Sequence, residues 1–237
     1  GATVEPIDPV RYISNHSSGK MGMALASACI QAGAKTTIVV GSISTEEEKR
    51  ATSIYATSAD EMHDAVMDNI DNQDLFISCA AVADYRPSKV SLNKIKKSNE
   101  KEIIELVLNR DILSDVCHLS KKPICIGFAA ETENCIKNAK QKLEKKNCDA
   151  IILNDVSDPN IGLKSDENEV HFITKGDSKI IKKNSKAIIA EKIIKIISKK
   201  FFYWSKVALN QGFKDLPTKP WKTLVISPLF ILKFALE

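Results

Sequence analysis

Along the chain, stretches with the hydrophobic pattern of buried strands alternate with stretches that have the hydrophobic spacing of helices. This pattern predicts that strands and helices alternate. Short apolar runs such as KTTIVVG, DLFISCA, ICIGF and DAIILND are typical of buried strands. The stretches KMGMALASACIQAGA and SKAIIAEKIIKIISKK carry apolar residues at helical spacing, and Gly33 stands where the first helix is expected to end. Buried strands that alternate with helices predict an α/β fold with a doubly wound, mostly parallel sheet.

Local signals refine this pattern. Ser58 and Glu61 have the spacing of a capping box, which predicts a helix that runs to about Ile70. A further helix is predicted from Glu131 to Lys146. The runs EVHFIT and SKIIKK flank KGD, which predicts a β-hairpin extension of the sheet.

Ligands of doubly wound sheets bind at the carboxyl ends of strands, where loops lead into helices. This rule assigns the chemistry to four predicted loops: Asp8–Gly22, Ala80–Lys97, Phe128–Thr132 and Asn154–Asp166.

The first loop has the features of an anion site. Ser17, Ser18 and Gly19 lead into a helix at Lys20, which places amide donors, two hydroxyls and a positive helix end together. Gly19 and Gly22 permit close approach of the backbone to a ligand. The stretch matches neither the P-loop nor the dinucleotide fingerprint. The alternative is a capped helix start with Ser18 as the N-cap.

Other polar residues in these loops are less specific. Arg11 and Asn15 could face one side and bind a carboxylate or phosphate, or they could simply stabilise the loop. Asp84 follows a strand end. The run Lys94–Lys97 suits a triphosphate or a leaving pyrophosphate, although such runs are more often solvated patches.

Composition narrows the classes of function. The 237 residues include 43% hydrophobic residues, and the net charge of +4 is small and balanced, so nucleic-acid binding is not expected. The six cysteines form no C-x-x-C pair, which predicts reduced thiols in a cytoplasmic protein. The apolar stretch Thr223–Glu237 is too short for a membrane helix.

The domain organisation is expected to be one domain over residues 1–200 and an atypical C-terminal tail over residues 201–237. No strand precedes the opening GAT, so the leading strand of the sheet is expected to be missing. No chemistry is assigned to the tail.

Several long motifs occur in one order: EPIDPVRYISNHSSGKMG, AAVADYRP, KIKK, GFAAET and LNDVS…GLKSDENEV. Over residues 1 to about 200 the chain resembles the bacterial phosphopantothenate–cysteine ligases, which in many bacteria form the C-terminal half of a bifunctional coenzyme A biosynthesis protein. The resemblance implies a Rossmann-like fold and a homodimer whose active sites are completed by the partner subunit. It also implies a possible association with a phosphopantothenoylcysteine decarboxylase, fused or separate.

The resemblance further implies the reaction. CTP activates the carboxylate of 4′-phosphopantothenate as an acyl-cytidylate and pyrophosphate leaves. The amine of L-cysteine then displaces CMP. Magnesium assists, and its ligands are left open. The choice of CTP over ATP rests on the resemblance and not on a base-reading residue.

Site residues follow from matching motif positions. Asn15 is expected to hold the acyl-cytidylate, Lys94 to support activation from a flexible flap, and Arg11 to help the second half-reaction. Phosphopantothenate is expected near Asn15, Ala80, Ala81 and Asp84. The positions implied for the nucleotide are Ser17, Ser18, Gly19, Gly22, Ser78, Cys79, Ala80, Asp84, Lys94, Arg110, Asp111, Ile112, Leu113, Phe128, Lys142 and Lys146. Arg110 stands where the family more usually has proline.

Two alternatives stay open at this point. A dinucleotide-dependent oxidoreductase could share the fold, although the glycine fingerprint and the ribose-binding acid are missing. The chain could also be an inactive, truncated copy.

Overall fold

The computed structural model describes residues 1–97, 101–155 and 165–202, together with the backbone of two strands in the C-terminal tail. The helices are α1 Lys20–Gln31, α2 Ala59–Met67, α3 Ile112–Cys117, α4 Cys135–Lys145 and α5 Lys186–Ile197, and a π-helical turn, Ser198–Phe202, follows α5. The strands are β1 Val4–Pro6, β2 Tyr12–Ser14, β3 Thr36–Val40, β4 Thr52–Tyr55, β5 Leu75–Ser78, β6 Tyr85–Pro87, β7 Leu106–Leu108, β8 Ile124–Glu131, β9 Ala150–Asp155, β10 Glu167–Thr174, β11 Asp177–Ser185, β12 Leu224–Ser227 and β13 Leu229–Leu232.

A mostly parallel sheet forms the centre of the fold. Strands β5, β8 and β9 run parallel, and the hairpin of β10 and β11 adds two antiparallel strands at the edge beyond β9. Strand β3 pairs in parallel with β4. The predicted doubly wound sheet and its hairpin extension are therefore confirmed.

Helices cover both faces of the sheet and divide its side chains into two cores. Residues of α1 and α5 pack on one face against Ile77 of β5 and Ile152 of β9. Residues of α2, α3 and α4 pack on the other face against Phe76 and Ile151. Adjacent residues of a strand thus point to opposite faces of the sheet, and both faces are buried. The strands are therefore continuous apolar runs in the sequence.

Two small antiparallel ribbons stand beside the sheet. One is formed by β1 and β2, and the other by β6 and β7. Strand β1 contacts β6, so the two ribbons lie together. Neither ribbon is predicted from the sequence, because each strand is only three residues long.

The capping box of α2 is confirmed, since the Ser58 hydroxyl accepts from the Glu61 amide and the Glu61 carboxylate accepts from the Ser58 amide. The predicted start of α4 at Glu131 is wrong. Strand β8 continues to Glu131, which lies opposite Asp155, and the helix begins at Cys135. The predicted loop Phe128–Thr132 is wrong for the same reason.

The C-terminal tail contributes backbone to the sheet. Strand β12 runs parallel to β3, and β13 runs antiparallel to it. The division of the chain at residue 200 stays a prediction, as does the missing leading strand.

Candidate active site

Two adjoining cavities lie at the carboxyl ends of β5, β8 and β9. The first has a volume of about 510 Å³ and the second about 520 Å³. The residues that line both are Ala80, Val82, Asp84, Phe128 and Lys142. Because the lining is shared, the two cavities form one groove across the strand ends, where a doubly wound sheet places its ligands.

The first cavity begins at the N-terminus of α1. Gly19 is the N-cap residue, with φ of 79°, and the hydroxyl of Ser18 accepts from the amide of Lys20 at 3.5 Å. The predicted N-cap, Ser18, is therefore wrong. A Cβ at Gly19 would also lie 2.6 Å from Cγ2 of Ile43, so both conformation and space require glycine. The amide groups of the first turn of α1 are directed at the cavity, and they favour an anion there.

Asn15 enters the same cavity from the end of the β1–β2 ribbon. Its Nδ2 donates to the carbonyl oxygens of Ala81 and Val82, at 3.2 and 3.3 Å. These two bonds orient the amide, because both of its N–H groups are directed at backbone. Of the site residues predicted from the sequence, those that line the first cavity are Asn15, Ser17, Ser18, Gly19, Gly22, Cys79, Ala80, Ala81, Asp84, Phe128 and Lys142.

Three buried polar residues of the first cavity are absent from the predicted set. Asn154, Asn168 and Lys186 line it, and all three are buried. Oδ1 of Asn154 has no hydrogen-bond partner among the described residues, although the side chain is only 8% exposed. A buried oxygen without a donor costs stability, and the accessible surface of this atom, under 1 Å², is too small for a ligand group to reach it.

The second cavity lies between α3 and α4. Asp111 caps α3 by accepting from the amide of Ser114 at 3.0 Å, and it forms an ion pair with Lys146 at 2.9 Å. Burial acts to raise the pKa of Asp111, but the hydrogen bonds from Lys146 and Ser114 outweigh it and lower that pKa. Of the site residues predicted from the sequence, those that line the second cavity are Ser78, Ala80, Asp84, Arg110, Asp111, Ile112, Leu113, Phe128, Lys142 and Lys146.

Lys142 connects the two cavities. Burial lowers the pKa of its ammonium group, and the neighbouring Lys146 lowers it further. The carboxylates of Glu131, Asp84 and Asp111 act in the opposite direction. A cation in this position interacts strongly with any anion in the groove, because little water competes with it.

Arg110 is at the rim of the second cavity, but its guanidinium group binds helix α2. Nε lies 3.0 Å from the carboxylate of Asp60, and Nη1 lies 2.8 Å from that of Asp64. The pair with Asp64 raises the pKa of Arg110 and lowers that of Asp64. The side chain therefore anchors the turn between β7 and α3 on a neighbouring helix.

Arg11 and Lys94 line neither cavity, so the structure separates them from Asn15. Arg11 forms an ion pair with Asp8, which is buried, and its Nη2 donates to the carbonyl oxygen of Ile95 at 2.9 Å. This pairing holds the pKa of Asp8 well below its usual range. The amide of Ile95 also donates to Asp8, so the exposed Lys94 stands on a segment that is docked to Arg11.

The groove has no activated nucleophile among the described residues that line it. The one thiol in the lining belongs to Cys79, and burial raises its pKa to about 12. Within the described ranges, His, Cys, Asp and Glu side chains form no cluster of three that could hold a metal ion. In the same part of the chain, no helix has the length and apolar character needed to cross a membrane.

Comparison with known proteins places this chain in a family. Residues 1–201 match the model of the "DNA/pantothenate metabolism flavoprotein C-terminal domain". The chain is 44% identical over 200 residues to the coenzyme A biosynthesis bifunctional protein CoaBC of Vibrio vulnificus (strain CMCP6), with 83% of this chain and 50% of the relative covered. It is 42% identical over 198 residues to the protein of that name from Escherichia coli (strain K12), with 82% and 49% covered.

A solved structure agrees with the sequence comparison. The crystal structure of the C-terminal domain of coenzyme A biosynthesis bifunctional protein CoaBC superimposes with a TM-score of 0.71 at 35% identity, and the match covers 84% of this chain and 91% of that one. The chain spans about half the length of the curated relatives that it matches. The chain belongs to the family of DNA/pantothenate metabolism flavoprotein C-terminal domains.

Proposed function

We propose that this domain is a phosphopantothenate–cysteine ligase that uses CTP. The observation that supports this most is the groove itself. It has an amide-rich helix start at one end, Lys142 in the middle and the Asp111–Lys146 pair at the other end. Two anionic substrates must meet for this reaction, and the groove offers amides and cations along its whole length. The names of the bacterial relatives point to the same pathway.

The reaction proceeds in two substitutions. A carboxylate oxygen of 4′-phosphopantothenate forms a bond to the α-phosphorus of CTP, and the bond from that phosphorus to pyrophosphate breaks. The amine of cysteine then forms a bond to the carbonyl carbon, CMP leaves with the bonding electron pair, and the amine loses a proton to solvent. Neither step needs a covalent enzyme intermediate, which suits the inert thiol of Cys79.

Residues at different positions in the groove would bind different parts of the two substrates. The first cavity would hold the phosphate groups at the α1 N-terminus and phosphopantothenate near Asn15 and Ala81. The second cavity would hold the cytidine against the segment Asp111–Leu113. Lys142, which lines both, would stabilise the negative charge that develops on the leaving pyrophosphate.

Mg²⁺ fits this groove in one position. The ion typically takes one or two protein carboxylates and completes its shell with phosphate oxygens and water. Asp84 is exposed and lines both cavities, so it would hold a magnesium ion that enters with the triphosphate. When bound, the ion neutralises phosphate charge and makes pyrophosphate a better leaving group.

A second copy of the chain would complete the site. Arg11 and Lys94 lie outside their own groove, and the surface near them is apolar. Exposed fractions there are 59% for Val10, 62% for Tyr12 and 91% for Leu92. Apolar side chains on paired ribbons favour a two-fold interface, which would bring Arg11 and Lys94 to the groove of the partner. We place this homodimer in the cytoplasm, acting with a phosphopantothenoylcysteine decarboxylase that is fused or separate.

The test is an assay of the full chain with phosphopantothenate, cysteine and either CTP or ATP, which follows pyrophosphate and the amide product. We expect both products with CTP. The Lys142→Gln variant should lose about 10²–10³-fold in rate, as for a single donor to a developing charge. Lys140→Gln, on the exposed side of α4, is the matched control and should retain its rate. No pyrophosphate with either nucleotide would refute the proposal.

A further inference from the structure

Asn109 lies in the turn between β7 and α3, at the wall of the second cavity. It is absent from the predicted site residues, although Arg110 and Asp111 directly after it are among them. Its hydrogen bonds connect this turn to the loop after β5, which carries Asp84. Asp84 lines both cavities, so a residue that fixes this loop affects the middle of the groove.

Asn109 holds both peptide groups that flank the α-carbon of Asp84. Its Nδ2 donates to the carbonyl oxygen of Ala83 at 2.8 Å, and its backbone amide donates to the carbonyl oxygen of Asp84 at 2.9 Å. Peptide groups are planar, so a residue between two fixed peptide groups has no soft backbone dihedral left. The direction in which the side chain of Asp84 leaves the backbone is therefore set by Asn109.

The core anchors the same loop from its other side. The amide of Ala83 donates to the hydroxyl of Thr3 at 2.9 Å, and both residues are buried. Asp84 follows directly and is exposed. The loop thus passes from a buried, hydrogen-bonded residue to an exposed carboxylate in one step, and the bonds from Asn109 prevent the exposed part from moving away.

Arg86 fixes the side chain of Asn109 in turn. Its Nη1 donates to Oδ1 of Asn109 at 2.8 Å and to the carbonyl oxygen of Leu108 at 3.0 Å. Its Nε lies 3.7 Å from the carboxylate of Asp60 on helix α2. Because a cation holds the oxygen of the Asn109 amide, the nitrogen is directed at Ala83, and the amide cannot exchange its two ends.

We propose that Asn109 is a positioning residue, which holds the carboxylate of Asp84 where the two cavities meet. This rests on the proposed function, in which Asp84 would hold the magnesium ion that enters with the triphosphate. Mg²⁺ requires near-ideal octahedral geometry, so a small displacement of one carboxylate ligand weakens its binding. Asn109 thus acts through Asp84, and Arg86 supports it by orienting its amide.

Calorimetric titration of the full chain with CTP, in the presence and absence of Mg²⁺, tests this role in a double-mutant cycle. We expect Asn109→Ala to weaken CTP about 10–100-fold with Mg²⁺, the loss typical of a residue that orients a metal ligand, and to leave CTP binding without Mg²⁺ unchanged. In the Asp84→Asn background the same change should have no further effect, because no carboxylate is left to position. Asn69→Ala, which removes a donor to the carbonyl oxygen of Ala65 on α2, is the matched control and should bind as the wild type does.

The cycle separates positioning from a general structural role. Equal losses with and without Mg²⁺ would overturn the inference, and so would losses that add in the double variant or an unchanged affinity of Asn109→Ala. Asn109→Ser, which retains a small polar side chain in the turn, replaces the alanine variant if that variant does not fold. No binding of CTP by the wild type under either condition would refute the proposed nucleotide together with the role of Asn109, whereas wild-type binding with additive losses would refute the role of Asn109 alone.

Discussion

The side-chain amide of Asn15 is held in place and still has a group available to a ligand. Its nitrogen donates to two backbone carbonyl oxygens, which leaves the oxygen as the group available to a substrate. A carboxylate in its place has no hydrogen to donate at neutral pH. It would face two carbonyl oxygens and add negative charge to a groove that must gather anions.

The Asn15→Asp variant is therefore expected to separate the two half-reactions. Pyrophosphate release continues, because the phosphate loop is unchanged, while formation of the amide product falls by about 10²–10³-fold. Chromatography of the pyrophosphate and amide products in one reaction measures both. Asn72→Asp, the same chemical change at an exposed residue with φ of 60°, is the control. Normal amide formation by the Asn15 variant would contradict this role.

At the residue scale, sequence reasoning can group residues that lie in one local stretch of the chain. Ser17 to Gly22 are adjacent along the chain, so their amides and hydroxyls could be recognised together. Lys186 could not be found in this way, because in SKAIIAEK it has the spacing of an ordinary first-turn residue of an amphipathic helix. Its place in the cavity depends on how α5 packs against α1, which is a long-range contact.

At the scale of elements, helix α2 positions the site without touching it. Arg110 binds Asp60 and Asp64 of α2, and Nε2 of His63 lies 3.0 Å from the carboxylate of Asp115 on α3. These contacts fix the turn that carries Asp111 to the second cavity. The family resemblance predicts Arg110 as a nucleotide-binding residue because its position in the motif matches. A motif does not show which way a side chain points.

The Arg110→Ala variant tests this anchoring. Partly exposed ion pairs contribute little singly, so we expect the free energy of unfolding in urea to fall by about 0.5–1 kcal/mol. We also expect a severalfold higher KM for CTP and a kcat close to that of the wild type, because the turn loses its position but no reacting group is removed. Arg50→Ala, which removes another surface pair, is the control and should leave KM unchanged. A large fall in kcat with unchanged KM would show that Arg110 acts on the transition state.

At the scale of the whole molecule, the proposed site residues fall into two separate groups within one chain. The groove has Asn15 and Lys142, while Arg11 and Lys94 lie outside it beside an exposed apolar surface. The family resemblance assigns all four residues to one site. The hydrophobic pattern of the sequence could not show that Arg11 and Lys94 lie away from the groove, because their distance from it depends on the tertiary fold. A shared site in a two-fold dimer reconciles the separation with a common role.

Mixed dimers of two inactive variants measure whether the site is shared. In a dimer of Asn15→Asp with Lys94→Gln, one groove combines both defects and the other has an intact Asn15 and an intact Lys94 from the partner. Random exchange makes half of the dimers mixed, so the mixture should recover roughly a quarter of wild-type activity. Asn15→Asp with Lys142→Gln is the matched control. Both residues line the same groove, so every mixed groove retains one defect and no activity returns. Equal recovery in both mixtures, or none in the first, would show that Lys94 does not serve the groove of the partner.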